Sequence, residues 1–385
     1  MDERQLIGHF KWLHQHPELG FEEFKTTKYL LDTLHAMGVE TLDTGMPTGT
    51  IAVIRGGQPG PVLGLRCDID ALPVQEASGL EYSSLYLGRM HACGHDFHAA
   101  AMLGTAALLQ EMRSELRGMV KLVFQPAEEF ASGAEKVVST GLLDDLDAIY
   151  GIHTYPGFEP GTVGIRKGPV MAAPDRFEIT LRGISTHGAQ PHKGVDPIPA
   201  LATLVLSIQT IVTRAVDAYA PAVISVTHVE AGNTWNVVPE TARLEGTVRT
   251  LDESVRREIK DQLDRQVKAV AAAYSCLSEL NYTDGPAPVI NDAALCDIAE
   301  TAALEQGLKV ARQENSMGGE DFSAYQTRCP GAFIRIGTGG QHPNHHPAFT
   351  ADPAALWPTA RYCAFLARKW QQSILINENC HTPQR

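Results

Sequence analysis

The chain is short of positive charge. Its 385 residues carry 32 lysines and arginines against 45 aspartates and glutamates, a net charge of −13 with histidine neutral. Such a surface repels polyanions and no basic stripe offsets it, so neither nucleic acid nor an anionic membrane is an expected partner. Long apolar runs are also missing. Nowhere do about 18 apolar residues follow one another, and the first residues enter an amphipathic pattern (Leu6, Phe10, Leu13) with no basic segment leading into an apolar one. The seven cysteines, at 67, 93, 276, 296, 329, 363 and 380, are odd in number and lack the spacing of a disulfide framework. These absences lead to the expectation of a soluble, cytoplasmic chain in a reducing compartment. Internal repeats and low-complexity segments are absent too.

What remains is ample for burial, and the length predicts two domains. Residues 2–16 and 22–38 show apolar residues at helical spacing, the second ending at Gly38 as a C-cap. Residues 50–55 and 61–67 are short β-branched runs bounded by glycine and proline, which predict buried strands. A helix is predicted at 97–112, a strand at 119–124, a helix at 134–140 and a strand at 148–153. This alternation predicts an α/β domain with a mostly parallel central sheet flanked by helices. After Pro174 the character changes: strands at 177–182, 222–229 and 243–249 alternate apolar and polar, and long helices are expected at 197–215 and 254–273. That is an α+β module with an antiparallel sheet. The α/β character returns with a helix at 292–306, a strand at 331–337 and a helix at 353–374, and Asn377–Arg385 reads as a frayed tail. The boundaries expected are 1–175 and 288–385 for the larger domain and 176–287 for a domain inserted into it.

The stretch MHACGHDFHAAAMLG, residues 90–104, packs three histidines, a cysteine and an aspartate into nine residues. Other polar clusters fall where predicted strands end, the place where open α/β sheets bind ligands. Glu128 and Glu129 follow one strand, His153 ends another, and His342, His345 and His346 cluster further on. Thiolate, imidazole and carboxylate together suit zinc, manganese, nickel or cobalt in an open catalytic site. Each piece alone has an ordinary alternative: a hydrogen-bonded histidine, a solvated Glu-Glu turn, a buried or nucleophilic cysteine.

Eleven blocks in order carry a resemblance across nearly the whole chain: HPELGFEE (16–23), RCDIDALP (66–73), MHACGHDFHAAAMLG (90–104), FQPAEE (124–129), GIHTYP (151–156), GPVMAAPDRFEI (168–179), STHGAQPH (185–192), NVVP (236–239), GTVRT (246–250), GGEDFSAY (318–325) and HHPAF (345–349). The sequence resembles the M20 metallopeptidases and amidohydrolases. Within them it is similar to the branch of hippurate hydrolases, auxin-conjugate hydrolases and N-acyl-amino-acid deacylases. The resemblance implies two divalent metal ions held by Cys93 as the bridging ligand, His95, Glu129, His153 and His345, with His346 the alternative to the last. Glu128 matches the general base. In that chemistry two cations about 3.5–4 Å apart acidify a bridging water, and the resulting hydroxide attacks a polarised amide carbonyl. Asp68 would orient a ligating histidine through its ring N–H, with Asp70 as the alternative. Arg66 stands where other branches place a metal histidine, and His98 is not expected to ligate but to face its own backbone.

The inserted domain would carry the substrate contacts: His187 for the oxyanion across a homodimer (a tetramer is also open), Asn236 beside it, and Arg249 for the substrate carboxylate, which its fork suits. The implied reaction is hydrolysis of an N-acyl amino acid, hippurate-like or N-acetyl, to a carboxylic acid and a free amino acid. A dipeptidase on the same site, an inactive binding protein and a metal-free thiol hydrolase using Cys93 are the alternatives. Two domains also imply closure on substrate.

Overall fold

The structure, a computed structural model, describes residues 1–380, with side chains described as far as Ile374. It divides into two compact units, one of residues 1–170, 290–314 and 321–385, the other of residues 171–289 and 315–320. The cuts differ from the expected 175/176 and 287/288, and residues 315–320 leave the segment to which they were assigned. Local pairing accounts for that: Met171 bridges Ser316, and Ala172 N–H donates to Gly318 O at 3.0 Å.

In the larger unit an eight-stranded sheet runs Glu40–Leu42, Thr50–Arg55, Arg117–Gln125, Gln58–Asp68, Ala148–Tyr155, Gly331–Gly337, Thr162–Ile165 and Lys309–Arg312. Its centre is parallel from Arg117–Gln125 through Gln58–Asp68 and Ala148–Tyr155 to Gly331–Gly337. Antiparallel pairing is confined to the Thr50–Arg55 side and to the short Thr162–Ile165 strand. The central strands are buried along most of their length, as continuous β-branched and aliphatic runs predict.

The helix His95–Glu111 is apolar nearly all round and packs against the helices Glu3–Gln15 and Leu356–Cys380. Gly104 permits that closeness: a Cβ there would stand 2.8 Å from Ala360 Cβ. It begins two residues before the expected start, on His95, behind Gly94 in the left-handed conformation at φ 82. Of the segment expected to fray, residues 377–380 continue the last helix and residues 381–385 lie outside those described.

The smaller unit is a four-stranded antiparallel sheet in the order Ala222–Ala231, Thr241–Thr250, Ala173–Arg182, Leu277–Thr283. The helices Pro197–Arg214 and Glu253–Ala273 pack on it around Phe177, Ile179, Leu204, Ile208, Ile259 and Leu263. Among the described residues Pro197–Arg214 is long and apolar enough, by length and composition, to cross a membrane. Here one side of it fills the core and Leu206 is exposed. The Leu277–Thr283 strand went unpredicted, because Ser278, Glu279 and Asn281 make LSELNYT read as a polar connection.

Candidate metal centre

Three parallel strands of the larger unit end at one rim. Gln58–Asp68 ends in the segment leading to Asp70, Arg117–Gln125 runs into Glu128 and Glu129, and Ala148–Tyr155 carries His153 near its end. Cys93 and His95 lie at the start of the helix His95–Glu111, and His345 follows the strand Gly331–Gly337.

The backbone is shaped to bring these side chains together. Ala127 and Ala131, on either side of the Glu128–Phe130 turn, are left-handed at φ 51 and 53, and His345 is left-handed at φ 70. Non-glycine residues adopt that region at a cost, and such strain collects at functional sites. Asp70 pins the turn from one side by accepting the Glu129 N–H at 3.0 Å.

Several overlapping groups of donors form, among them one of His95, Glu128 and Glu129, and two of them share Cys93. Cys93, His95 and His153 have ligand atoms within 4.8 Å of one another, and so have Cys93, Glu129 and His345. Cys93 Sγ is 3.5 Å from His153 Nε2, and Glu129 Oε1 is 3.3 Å from His345 Nε2, close without forming a hydrogen bond. His95 Nε2 and Glu129 Oε1 are buried polar atoms with no hydrogen-bond partner, a costly condition unless a cation takes them up.

The other ring nitrogens explain why these atoms are free. His95 Nδ1 bonds Asp70 Oδ1 at 3.1 Å, and His153 Nδ1–H donates to Thr154 O at 2.8 Å, so both rings turn Nε2 into the cluster. Burial, with the neighbouring rings adding to it, holds the His153 pKa well below its ordinary value, so the ring is neutral and its lone pair available. Burial alone would lower the His95 pKa as well, but Asp68, Asp70 and Cys93 outweigh it and hold it well above 6.5. Burial, reinforced by Glu129, pushes the Cys93 thiol up to about 12. Both protons are therefore ones that a cation must displace. A thiol so raised is also a poor nucleophile by itself, which disfavours the metal-free thiol reading.

Of the adjacent histidines only His345 joins the cluster. The His346 ring stacks on His342 with centroids 4.2 Å apart, and its Nδ1 accepts the Ala348 N–H.

The expected link from Asp68 to a ligating histidine is not the one formed: Asp70 makes it. Asp68 instead accepts from Arg66 Nη1 at 2.7 Å and pairs with His98 Nδ1. The reason is position, since Asp68 is the last residue of its strand and still faces the interior, whereas Asp70 has passed the rim. His98 does not face its own backbone. Its Nε2 accepts the N–H of Thr154, next to His153, at 2.7 Å, which leaves Nδ1–H to donate to Asp68. Three further contributors escaped the sequence reading. Asn344 Nδ2 donates to Cys93 O at 3.1 Å, and Arg66 bonds Gln125 at 2.8 Å and Asp321 at 3.2 Å. Only the RCDIDALP and GGEDFSAY blocks hinted at the last of these.

His187, Asn236 and Arg249 all lie in the smaller unit. A two-stranded ribbon pairs His187 with Val237, beside Asn236; His187 is exposed and Asn236 half-buried. His187 Nδ1 accepts the Ala189 N–H at 3.0 Å, which leaves Nε2 as the donor nitrogen of this exposed ring. Arg249 is half-buried, and burial lowers its pKa. Its one acidic neighbour by charge, Asp175, is already taken by Arg256 Nη2 at 2.5 Å and Tyr282 Oη at 2.7 Å.

Residues 64–369 match the profile of peptidase family M20/M25/M40. An N-acetyl-L-cysteine deacetylase of Bacillus subtilis is 45% identical over 354 residues, covering 92% of this chain and 85% of the relative. An N-acyl-L-amino acid amidohydrolase of Geobacillus stearothermophilus is 44% identical over 287 residues, 74% of this chain and 78% of its own. A crystal structure of a Bacillus subtilis protein described as a dinuclear metal binding peptidase from the M20 family superposes with a TM-score of 0.88 at 41% identity, covering 96% and 98% of the two chains.

Proposed function

This chain belongs to peptidase family M20/M25/M40, and we propose that it is a metal-dependent amidohydrolase cleaving N-acyl amino acids to a carboxylic acid and a free amino acid. The observation that carries the reading is the pair of donor triads sharing Cys93. Cys93, His95, Glu129, His153 and His345 would hold two divalent cations, which supply Lewis-acid polarisation of the amide carbonyl and acidify water near neutral pH. A mixed sulfur, nitrogen and oxygen set suits manganese, zinc, nickel or cobalt.

Glu128 belongs to neither of those triads, yet its Oε2 is 3.9 Å from His95 Nε2 at the edge of the cluster. That placement supports it as the general base, taking a proton from the attacking water and passing it to the leaving amine. The outward Nε2–H of His187 suits donation to the oxyanion in a homodimer, with Asn236 as a second polar contact. Arg249, whose guanidinium pairs with no carboxylate among the described residues, suits the carboxylate of the amino-acid half. The relatives' names favour N-acyl amino acids and, among acyl groups, acetyl; benzoyl, as in hippurate, is the larger candidate. The acidic balance and unpaired cysteines suit a cytoplasmic setting.

The test is a panel of N-acetyl, N-benzoyl and dipeptide substrates with the native chain and Glu128→Gln. The reading expects turnover of at least one N-acyl amino acid and a loss in kcat of about 10²–10⁴-fold in the variant, without loss of bound metal. Preference for a free α-amine would favour a dipeptidase, and native-like kcat in Glu128→Gln would remove that residue from the chemistry.

A further inference from the structure

Glu23 has no exposed surface, yet it belongs to none of the metal-binding groups described above. It precedes the helix Phe24–Ala36 without capping it with its side chain. Instead Oε1 accepts the N–H of Ala127, 104 residues away, at 2.8 Å, and the Thr48 side chain lies beside the carboxyl group. Ala127 is fully buried, left-handed, and immediately precedes Glu128. That conformation costs an alanine about 1–2 kcal/mol, so something must hold it. Its carbonyl is held by Gly133 N–H at 3.2 Å, and its own N–H is held by Glu23. The anchor is firm: Thr27 N–H bonds Glu23 O at 2.8 Å and Gly49 N–H bonds Thr27 Oγ1 at 2.9 Å.

We propose that Glu23 is a positioning residue that locks Ala127 in its left-handed conformation and thereby aims Glu128 at the reacting water. A rotation at Ala127 swings the Glu128 backbone directly, whereas Glu129 keeps its own tether to Asp70. Losing Glu23 therefore misplaces the base while the donor triads persist. The inference rests on Glu128 being the base.

The experiment compares native enzyme, Glu23→Leu, Glu23→Gln, Glu23→Asp and the double variant Glu23→Leu/Ala127→Gly for kcat, KM, bound metal and Tm. A displacement of about 1 Å at a catalytic group can cost on the order of 10²-fold, so Glu23→Leu should lose about 10–100-fold in kcat, with KM and metal content little changed. Glu23→Gln keeps the acceptor and should recover kcat to within about threefold of native. In the double variant glycine adopts the left-handed conformation without strain, so kcat should rise several-fold above Glu23→Leu. Glu23→Asp keeps the pocket polar but withdraws the acceptor by one methylene. It should show the kcat loss even if the leucine variant does not fold. Native kcat in Glu23→Asp, no gain from Ala127→Gly, or metal lost in step with kcat would overturn the proposal. If Glu128→Gln is also inactive, such a result sinks only the role of Glu23; an active Glu128→Gln sinks the base assignment beneath it.

Discussion

Arg66 carries its charge with no exposed surface, among Asp68, Gln125 and Asp321. Asp321 is shared with Gln125 Nε2 and the Ala134 N–H, and burial pushes it up to about 6 against the pull of Arg66. Asp68, which burial alone would raise, is held well below the usual carboxylate range by His95, Arg66 and His98. The arginine therefore fixes a carboxylate 3.6 Å from His95 Nε2 and, through His98, the backbone beside His153. Removing one partner of a buried ion pair strands the other. Arg66→Met should cost about 3–5 kcal/mol in a urea titration and weaken metal retention as well. A midpoint unchanged from native would show that the network contributes little.

Between elements, the buried His14 joins helix Glu3–Gln15 to helix His95–Glu111 through Asp96 at 2.6 Å, and to Glu76 at 3.1 Å. Burial alone would lower its pKa, but the two carboxylates overcome it and hold the imidazolium to about 10. A folded pKa above the unfolded value gives stability that is fully present below about 6.5 and is lost as pH rises toward about 10. Native stability should therefore fall between those values by up to about 1.4 kcal/mol per pH unit, and His14→Phe should flatten that slope. Parallel curves for the two proteins would contradict the ion-pair account.

The same scale shows what could be read from the chain. Glu128, Glu129 and His153 were legible because parallel strands end where their polar residues begin, a local signal. Asp70 was not separable from Asp68, since two residues of spacing put both carboxylates at one strand end, and only the rim decides which reaches His95. His98 and Glu23 act on backbone N–H groups 56 and 104 residues away, and no local pattern reports such a pairing.

At the scale of the whole molecule, the proposed metal ligands and the proposed oxyanion donor lie in different compact units. The edge strand Ala222–Ala231 leaves Val223 and Val229 exposed, and Trp235 is exposed beside the His187 ribbon. A homodimer in which each site borrows the partner's His187 makes a clear prediction. His187→Ala and Glu128→Gln, each inactive alone, should recover about a quarter of native activity when refolded together in equal amounts, because half of the dimers then hold one intact site. No recovery, with mixed dimers formed, would place His187 outside the partner's site.

The central claim is that two cations held through Cys93 carry the chemistry. The most direct measurement is titration of chelated protein with manganese or cobalt, following bound metal and N-acetyl amino acid hydrolysis in the same samples, with Cys93→Ala alongside. The account predicts no turnover without metal, activity that reaches its plateau at about two cations per chain, and neither binding nor activity of that order in Cys93→Ala. Full turnover by the metal-free chain, or native activity in Cys93→Ala, would contradict it.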